Sequence, residues 1–131
     1  MTSSALELTR RCFEAASRRD FDTLMIFFGP ESVWDVSLWG LGRHTGLADI
    51  GTFFGDWVGA FDEYEIALEE AVDLGEGVVL AVDTQRAVPA GGRGFLEIRH
   101  ATVFIWASGK VARATHYLDR DEARDAVGLA Q

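Results

Sequence analysis

Asp35 stands in the run Val33-Trp34-Asp35-Val36, an acid among large apolar residues in a β-type stretch. A carboxylate held in a largely apolar pocket is a stronger base than in water, and it can move a proton next to a carbonyl. The ordinary alternative is an acid at a strand end, solvated or paired with an arginine. His116 is the second side chain suited to proton transfer near neutral pH, although a lone strand histidine is more often a hydrogen-bonded structural residue. No Ser or Cys has an evident base partner. His44, His100, His116 and Asp35 match no metal-ligand spacing, so no metal and no cofactor is expected. His44 lies in a Gly-rich loop and reads as exposed. Gly91-Gly92-Arg93-Gly94 lacks the strand–loop–helix context and the Lys-Ser/Thr pair of a phosphate loop, and reads as a hairpin connection.

These side chains must be positioned by one domain of 131 residues, with an ordinary apolar fraction of 48% and a charged fraction of 25%. Twenty-one acidic residues against 12 basic give a formal charge of −9, which argues against nucleic acid and against an anionic membrane surface as partners. The single Cys12 has no partner for an internal disulfide. With no signal-peptide pattern and no run near 18 apolar residues, a soluble cytoplasmic protein is expected.

Ser4 and Glu7 form a capping-box pattern that opens a helix over Ala5 to Ser17, with Leu8, Cys12 and Ala15 or Ala16 on one stripe. Asp20 caps a short second helix carrying Phe21, Leu24, Met25 and Phe28, stopped by Gly29-Pro30. Ser32 to Leu38 is a β-type run, followed by a loop marked by Gly40, Gly42 and Gly46. A third helix, from about Leu47 to Phe61, carries the wide apolar stripe of Ile50, Phe53, Phe54, Trp57, Val58 and Phe61. Four β-type stretches follow, Tyr64 to Leu74, Val78 to Val88, Phe95 to Ala107 and Lys110 to Leu118, the last two joined by the two-residue turn Ser108-Gly109. Asp119 and Glu122 then cap a short C-terminal helix. Helices first and antiparallel strands later specify an α+β domain, three N-terminal helices on one face of a curved sheet, with a concavity between the layers for a ligand.

That order resembles the nuclear transport factor 2-like superfamily, and more closely its SnoaL-like branch. The resemblance is carried by Phe13 to Leu24 at the helix turn, Val33-Trp34-Asp35 on the first strand, Gly46 to Ile50 opening the third helix, Gly109-Lys110-Val111 at the last hairpin, and Tyr117 to Ala123 at the close. It implies a cone-shaped α+β barrel over residues 1–131. It implies a cofactor-independent isomerase, cyclase, dehydratase or hydrolase, or a non-catalytic binder, for a small hydrophobic or weakly anionic molecule. Asp35 matches the general-base aspartate of the ketosteroid isomerases of this fold. Their carbonyl-polarising tyrosine and neutral aspartate correspond to Cys12 and Ala101, which lack that donor.

From the Ser108-Gly109 turn, Ala107 pairs with Lys110 and His116 lies across from Ala101, on the face that the resemblance makes concave. Arg99 and Val103 share that face by alternation, and Arg86 would lie beside Arg99. Two guanidinia there would need an anion or Asp35 between them. A bulge would shift the parity and bring His100 inward instead. Ala101, Val103, Phe54, Trp57 and Leu118 are the expected apolar contacts of a substrate. Leu96, Ile98, Phe104 and Trp106 then fall on the convex face, and a homodimer through that sheet face is expected.

Overall fold

The computed structural model describes residues 4–92 and 94–128, so Arg93 of the expected hairpin connection lies outside them. Helix α1 (Ala5–Ser17) begins where the Ser4 hydroxyl accepts the Glu7 amide at 3.1 Å, and it buries Thr9, Cys12 and Ala15 along one stripe. Asp20 caps α2 (Phe21–Met25) in the same way, through the Thr23 amide. Strand β1 (Val33–Asp35) leads into a single 3₁₀ turn at Ser37–Trp39. The Gly-rich segment expected to be loop holds a second short strand, β2 (Arg43–Thr45), paired antiparallel with β1. Three residues between glycines carry too little pattern for a strand to be read from them; pairing with β1 supplies what propensity does not.

Helix α3 (Gly46–Gly59) follows at once, with Ile50 and Phe54 in the core. Phe61, expected on that helix, instead opens β3 (Phe61–Gly75). The meander continues through β4 (Val78–Pro89), β5 (Leu96–Ala107) and β6 (Lys110–Tyr117), and α4 (Arg120–Ala126) closes the chain. The six strands lie in the order β2-β1-β6-β5-β4-β3, all antiparallel except β1 beside β6. Register shifts at Phe61/Glu63, Leu68/Glu70 and Asp73/Gly75 bend the long β3 around the helices, giving the cone-shaped α+β form. Gly77 turns the β3–β4 hairpin at φ +81, where a Cβ would stand 2.6 Å from the Trp106 carbonyl oxygen; no other residue fits without a backbone shift.

The core has two parts, one on each face of the sheet. Helices α1 to α3 pack Cys12, Leu24 and Phe54, joined by Phe28 just after α2, against Val79, Phe104, Trp106 and Ala114 on the inner face. On the outer face α4 lays Ala123 over Leu80, Val82, Ala101 and Val103. This reverses the expected parity of β5. The strands do begin at Ala107↔Lys110, but a bulge between Ile105 and Trp106 shifts the register, so that His116 faces Thr102 and Ala101 faces Tyr117. Ala101 and Val103 therefore lie under α4, and His100, Thr102 and Phe104 point inward. Of the residues expected on the convex face, Phe104 and Trp106 are buried in the inner core, and Leu96 is exposed. Among the described residues, no helix is long and apolar enough to cross a membrane.

Candidate functional site

Between the helices and the inner sheet face lies a cavity of about 120 Å³. Aromatic rings supply much of its wall: Phe13 from α1, Phe53, Phe54 and Trp57 from α3, Trp34 from β1 and Tyr64 from β3. Trp34 and Phe54 meet edge to face with centroids 4.9 Å apart, so the wall is itself packed core. Ile98 also lines the cavity, away from the convex face expected for it. Among the described lining residues there is no Lys or Arg.

Polar atoms gather on one wall, where three adjacent strands each present an inward side chain. Asp83 on β4 stands directly across from His100 on β5, and Thr102 two residues on stands across from His116 on β6. Asp83 is fully buried, and its Oδ1 lies 2.9 Å from His100 Nδ1. That contact is close, but the ring N–H does not point along it, so it acts through charge more than as an aligned hydrogen bond. His100 Nε2 lies 3.1 Å from His116 Nδ1, and the Thr102 hydroxyl lies 2.8 Å from the same nitrogen. The two imidazoles stack, 5.1 Å between centroids. Burial, reinforced by neighbouring His100, holds His116 well below the usual histidine range, against a weaker opposing pull from Asp35. His116 is accordingly a neutral imidazole.

A second polar group adjoins the first. Gln85 Oε1 accepts from Tyr64 Oη at 2.6 Å and from Trp57 Nε1 at 3.1 Å, and its Nε2 reaches Asp83 Oδ2 at 3.4 Å. Burial, then the Asp83 charge, push the Tyr64 phenol up, so it is a neutral donor. Cys12 also lines the cavity, and burial raises its thiol far out of the thiolate range.

Asp35 is buried but does not line the cavity. Its Oδ2 takes Arg113 Nη2 at 2.6 Å and lies 3.4 Å from Arg43 Nε, while Oδ1 accepts the Ser37 amide at 3.0 Å and hydroxyl at 2.6 Å. Burial alone would raise this carboxyl; the Ser37 bonds and the two guanidinia outweigh it and hold it below the ordinary aspartate value. The cations here are therefore Arg113 and Arg43, not Arg86 or Arg99. Arg86 is exposed, pairs with Glu97 at 3.4 Å and covers the Phe95 ring; Arg99 is exposed and binds Glu69 at 2.8 Å. Strand alternation on β4 and β5 puts both on the outer face, the side opposite to the one expected. Leu118 is 43% exposed and is not part of the wall. Of the expected set, His116, Phe54 and Trp57 meet in the cavity.

Asp83, His100, Thr102, Tyr64 and Gln85 complete it. A signal existed for Asp83: it is the one acid in the apolar run Val78 to Val88, and an acid inside a central strand must be solvated or partnered. Among the described residues, no group of three or more His, Cys, Asp or Glu side chains is placed to hold a metal ion.

His44 proves to be a brace. Its ring lies 4.6 Å from that of Phe53, with Nδ1 2.9 Å from Asp49 Oδ1 and Nε2 2.9 Å from the Leu41 carbonyl oxygen. Both partners are acceptors, so only the imidazolium can donate to both. Burial lowers this histidine, but the Asp49 and Leu41 bonds outweigh it and raise it above 6.5. A raised folded value means that the stabilisation is fully present below pH 6.5 and is lost as pH rises through the folded value. Thermal melting should therefore show the wild type losing about 1–3 °C between pH 6 and pH 8 relative to His44→Asn, the screening of exposed pairs keeping the effect small. Parallel curves for the two proteins would remove the brace.

A sequence model of the SnoaL-like domain matches residues 9–114. No curated protein matches the sequence. Solved structures do match it in fold. An NTF2-like protein of unknown function from Burkholderia pseudomallei K96243 is 21% identical, with 97% of this chain and 99% of that one covered and a TM-score of 0.76. TerC, co-crystallised with polyporic acid, is 18% identical over 94% of this chain and 97% of its own, with a TM-score of 0.75. An LEH-like epoxide hydrolase from M. tuberculosis is 22% identical over 88% and 82%, with a TM-score of 0.71. Those likenesses speak to fold, whereas the sequence match runs from within α1 to within β6; the chain belongs to the SnoaL-like domain family.

Proposed function

We propose that the protein is a cofactor-independent enzyme that moves a proton on a small, neutral, oxygenated apolar molecule held in the inner cavity. The observation that carries this reading is the carboxylate–imidazole–imidazole chain of Asp83, His100 and His116 on the wall of an otherwise apolar cavity. His116, neutral as it stands, accepts a proton from the substrate. The proton on its other nitrogen can pass to His100, whose far side faces the Asp83 carboxylate, so the new positive charge ends beside a negative one. The proton is then returned to a different substrate atom, and nothing is oxidised or reduced. Tyr64 and Trp57, tied through Gln85, position the Asp83 end of the chain. The absence of Lys and Arg from the described wall favours a neutral molecule over the weakly anionic one expected from sequence. One relative is named as an epoxide hydrolase and another was crystallised with polyporic acid, which supports a small organic molecule as occupant.

A non-catalytic carrier is the second reading, favoured by one fact: Asp35, the base that the fold comparison points to, is consumed by Ser37 and two arginines. Incubation in D₂O with 2-tetralone, a monoterpene epoxide and 2-naphthoate, followed by proton NMR, separates the two. The enzyme reading expects at least one neutral compound to exchange a C–H proton or react, and expects the carboxylate to bind about tenfold more weakly or worse. Binding across the panel with no chemical change would leave the carrier.

A further inference from the structure

We infer that Trp34 and His116 together recognise a single neutral hydroxyl group on the occupant of the cavity. The inference deepens the proposed function and rests on the inner cavity being the ligand site. Its starting point is two buried polar atoms that have no hydrogen-bond partner among the described residues, Trp34 Nε1 and His116 Nε2. Both residues line the cavity, and their rings lie 4.3 Å apart between centroids.

The proton inventory decides what each atom asks for. The Asp83 carboxylate, 2.9 Å from His100 Nδ1, favours the proton on that nitrogen. His100 Nε2 then carries a lone pair, and His116 Nδ1, 3.1 Å away, must bring the proton to that contact. With its proton on Nδ1, where the Thr102 oxygen can also accept it, the neutral His116 keeps only a lone pair on Nε2. Trp34 Nε1 is a donor and never an acceptor. Beside the unaligned Asp83–His100 contact, the touching rings of Trp34 and His116 thus present one unmet donor and one unmet acceptor, in surroundings where leaving them unmet is costly.

A hydroxyl satisfies both, because its oxygen accepts from Trp34 while its proton goes to His116. A carboxylate has no proton to give, an ammonium has no lone pair, and an ether or ketone can answer Trp34 but not His116. The selectivity therefore comes from the hydrogen on the oxygen. It also places the most acidic proton of such a ligand on the nitrogen at the open end of the relay.

The test uses 2-naphthol, 2-methoxynaphthalene and naphthalene, titrated by calorimetry into the wild type and Trp34→Phe. A ¹⁵N NMR spectrum of the wild type reads the His116 tautomer independently of any variant. The expected result is that 2-naphthol binds at least about tenfold more tightly than its methyl ether, one hydrogen bond to a buried acceptor being worth that much. Trp34→Phe should weaken 2-naphthol about tenfold and change naphthalene less than twofold. His116 Nε2 should resonate as an unprotonated nitrogen in the free protein and move when 2-naphthol is added. Equal affinities for naphthol and ether, no binding of any of the three, or a proton on Nε2 in the free protein would each overturn the inference. Equal affinities with turnover still dependent on Asp83 would sink the hydroxyl site alone. Hydroxyl selectivity without turnover of any substrate would sink the enzyme reading alone.

Discussion

Replacing Asp83 by asparagine is expected to cut turnover by about 10²–10⁴-fold while leaving the protein folded. The side chain keeps its size, and an amide oxygen can still face His100 Nδ1, so the packing of the wall is retained. What disappears is the negative charge 2.9 Å from the ring nitrogen. Without it, protonating the His116–His100 pair leaves a positive charge in an apolar wall with only the weaker pull of Asp35 to balance it. The loss therefore belongs in kcat more than in KM, since a neutral ground state feels the carboxylate far less than a charged intermediate does. Stability should change little, because removing a fully buried charge relieves a desolvation cost that offsets the lost pairing.

The measurement is kcat and KM of Asp83→Asn across pH, on the substrate that the exchange panel identifies, beside a melting curve. A purely structural Asp83 would lower the melting temperature and leave the kcat of the folded fraction and its pH profile unchanged. Turnover within about threefold of wild type would remove Asp83 from the relay. His100→Leu is the poorer probe, because it strands the carboxylate in the wall without any imidazole beside it.

The fold was largely legible because its signals are local. Capping by Ser4, Asp20 and Asp119 marks the starts of α1, α2 and α4, and the stripe of Ile50 and Phe54 marks α3. The Ser108-Gly109 turn, with φ of +52 and +78, ties β5 to β6 where expected. The site was legible only in part, because its membership depends on which way each strand residue faces. One extra residue near Ile105 moves His116 from Ala101 to Thr102 and exchanges the inner set of β5 for the outer set. No local pattern announces that bulge: Ala101, Thr102, Val103 and Phe104 are all buried, one pair beneath α4 and the other against the cavity. A strand covered on both faces loses the apolar–polar alternation from which parity is read. Arg86 and Arg99 fall to the same error. Asp35 differs: its strand position is as expected and it takes the arginine pairing that the sequence offers as its ordinary alternative, but the partner Arg113 comes from β6, which the parallel β1–β6 pairing brings alongside.

Asp35→Ala should therefore be a stability variant, losing about 2–3 kcal/mol, with the kcat of the folded protein within about threefold of wild type. The carboxylate is 5% exposed and receives the Ser37 amide, the Ser37 hydroxyl and Arg113, with Arg43 at its edge. Truncation leaves those donors facing a gap at the junction of β1, β2 and β6. The figure stays below that for a fully buried pair because Arg113 and Arg43 are 38% and 59% exposed and can turn to water. The sign of the pH dependence follows from the carboxyl being held below 3.8 in the fold. Its stabilising contribution is present above that value and is lost as pH falls through the lower folded one. Urea unfolding at pH 7 and at pH 3 should show the gap between wild type and Asp35→Ala narrowing in acid, where protonation of Asp35 in the unfolded chain favours unfolding of the wild type alone. A variant that folds as stably as wild type but loses a hundredfold in turnover would return Asp35 to the chemistry. It would also require Arg113 to release the carboxylate when substrate binds, a movement that the 2.6 Å ion pair opposes.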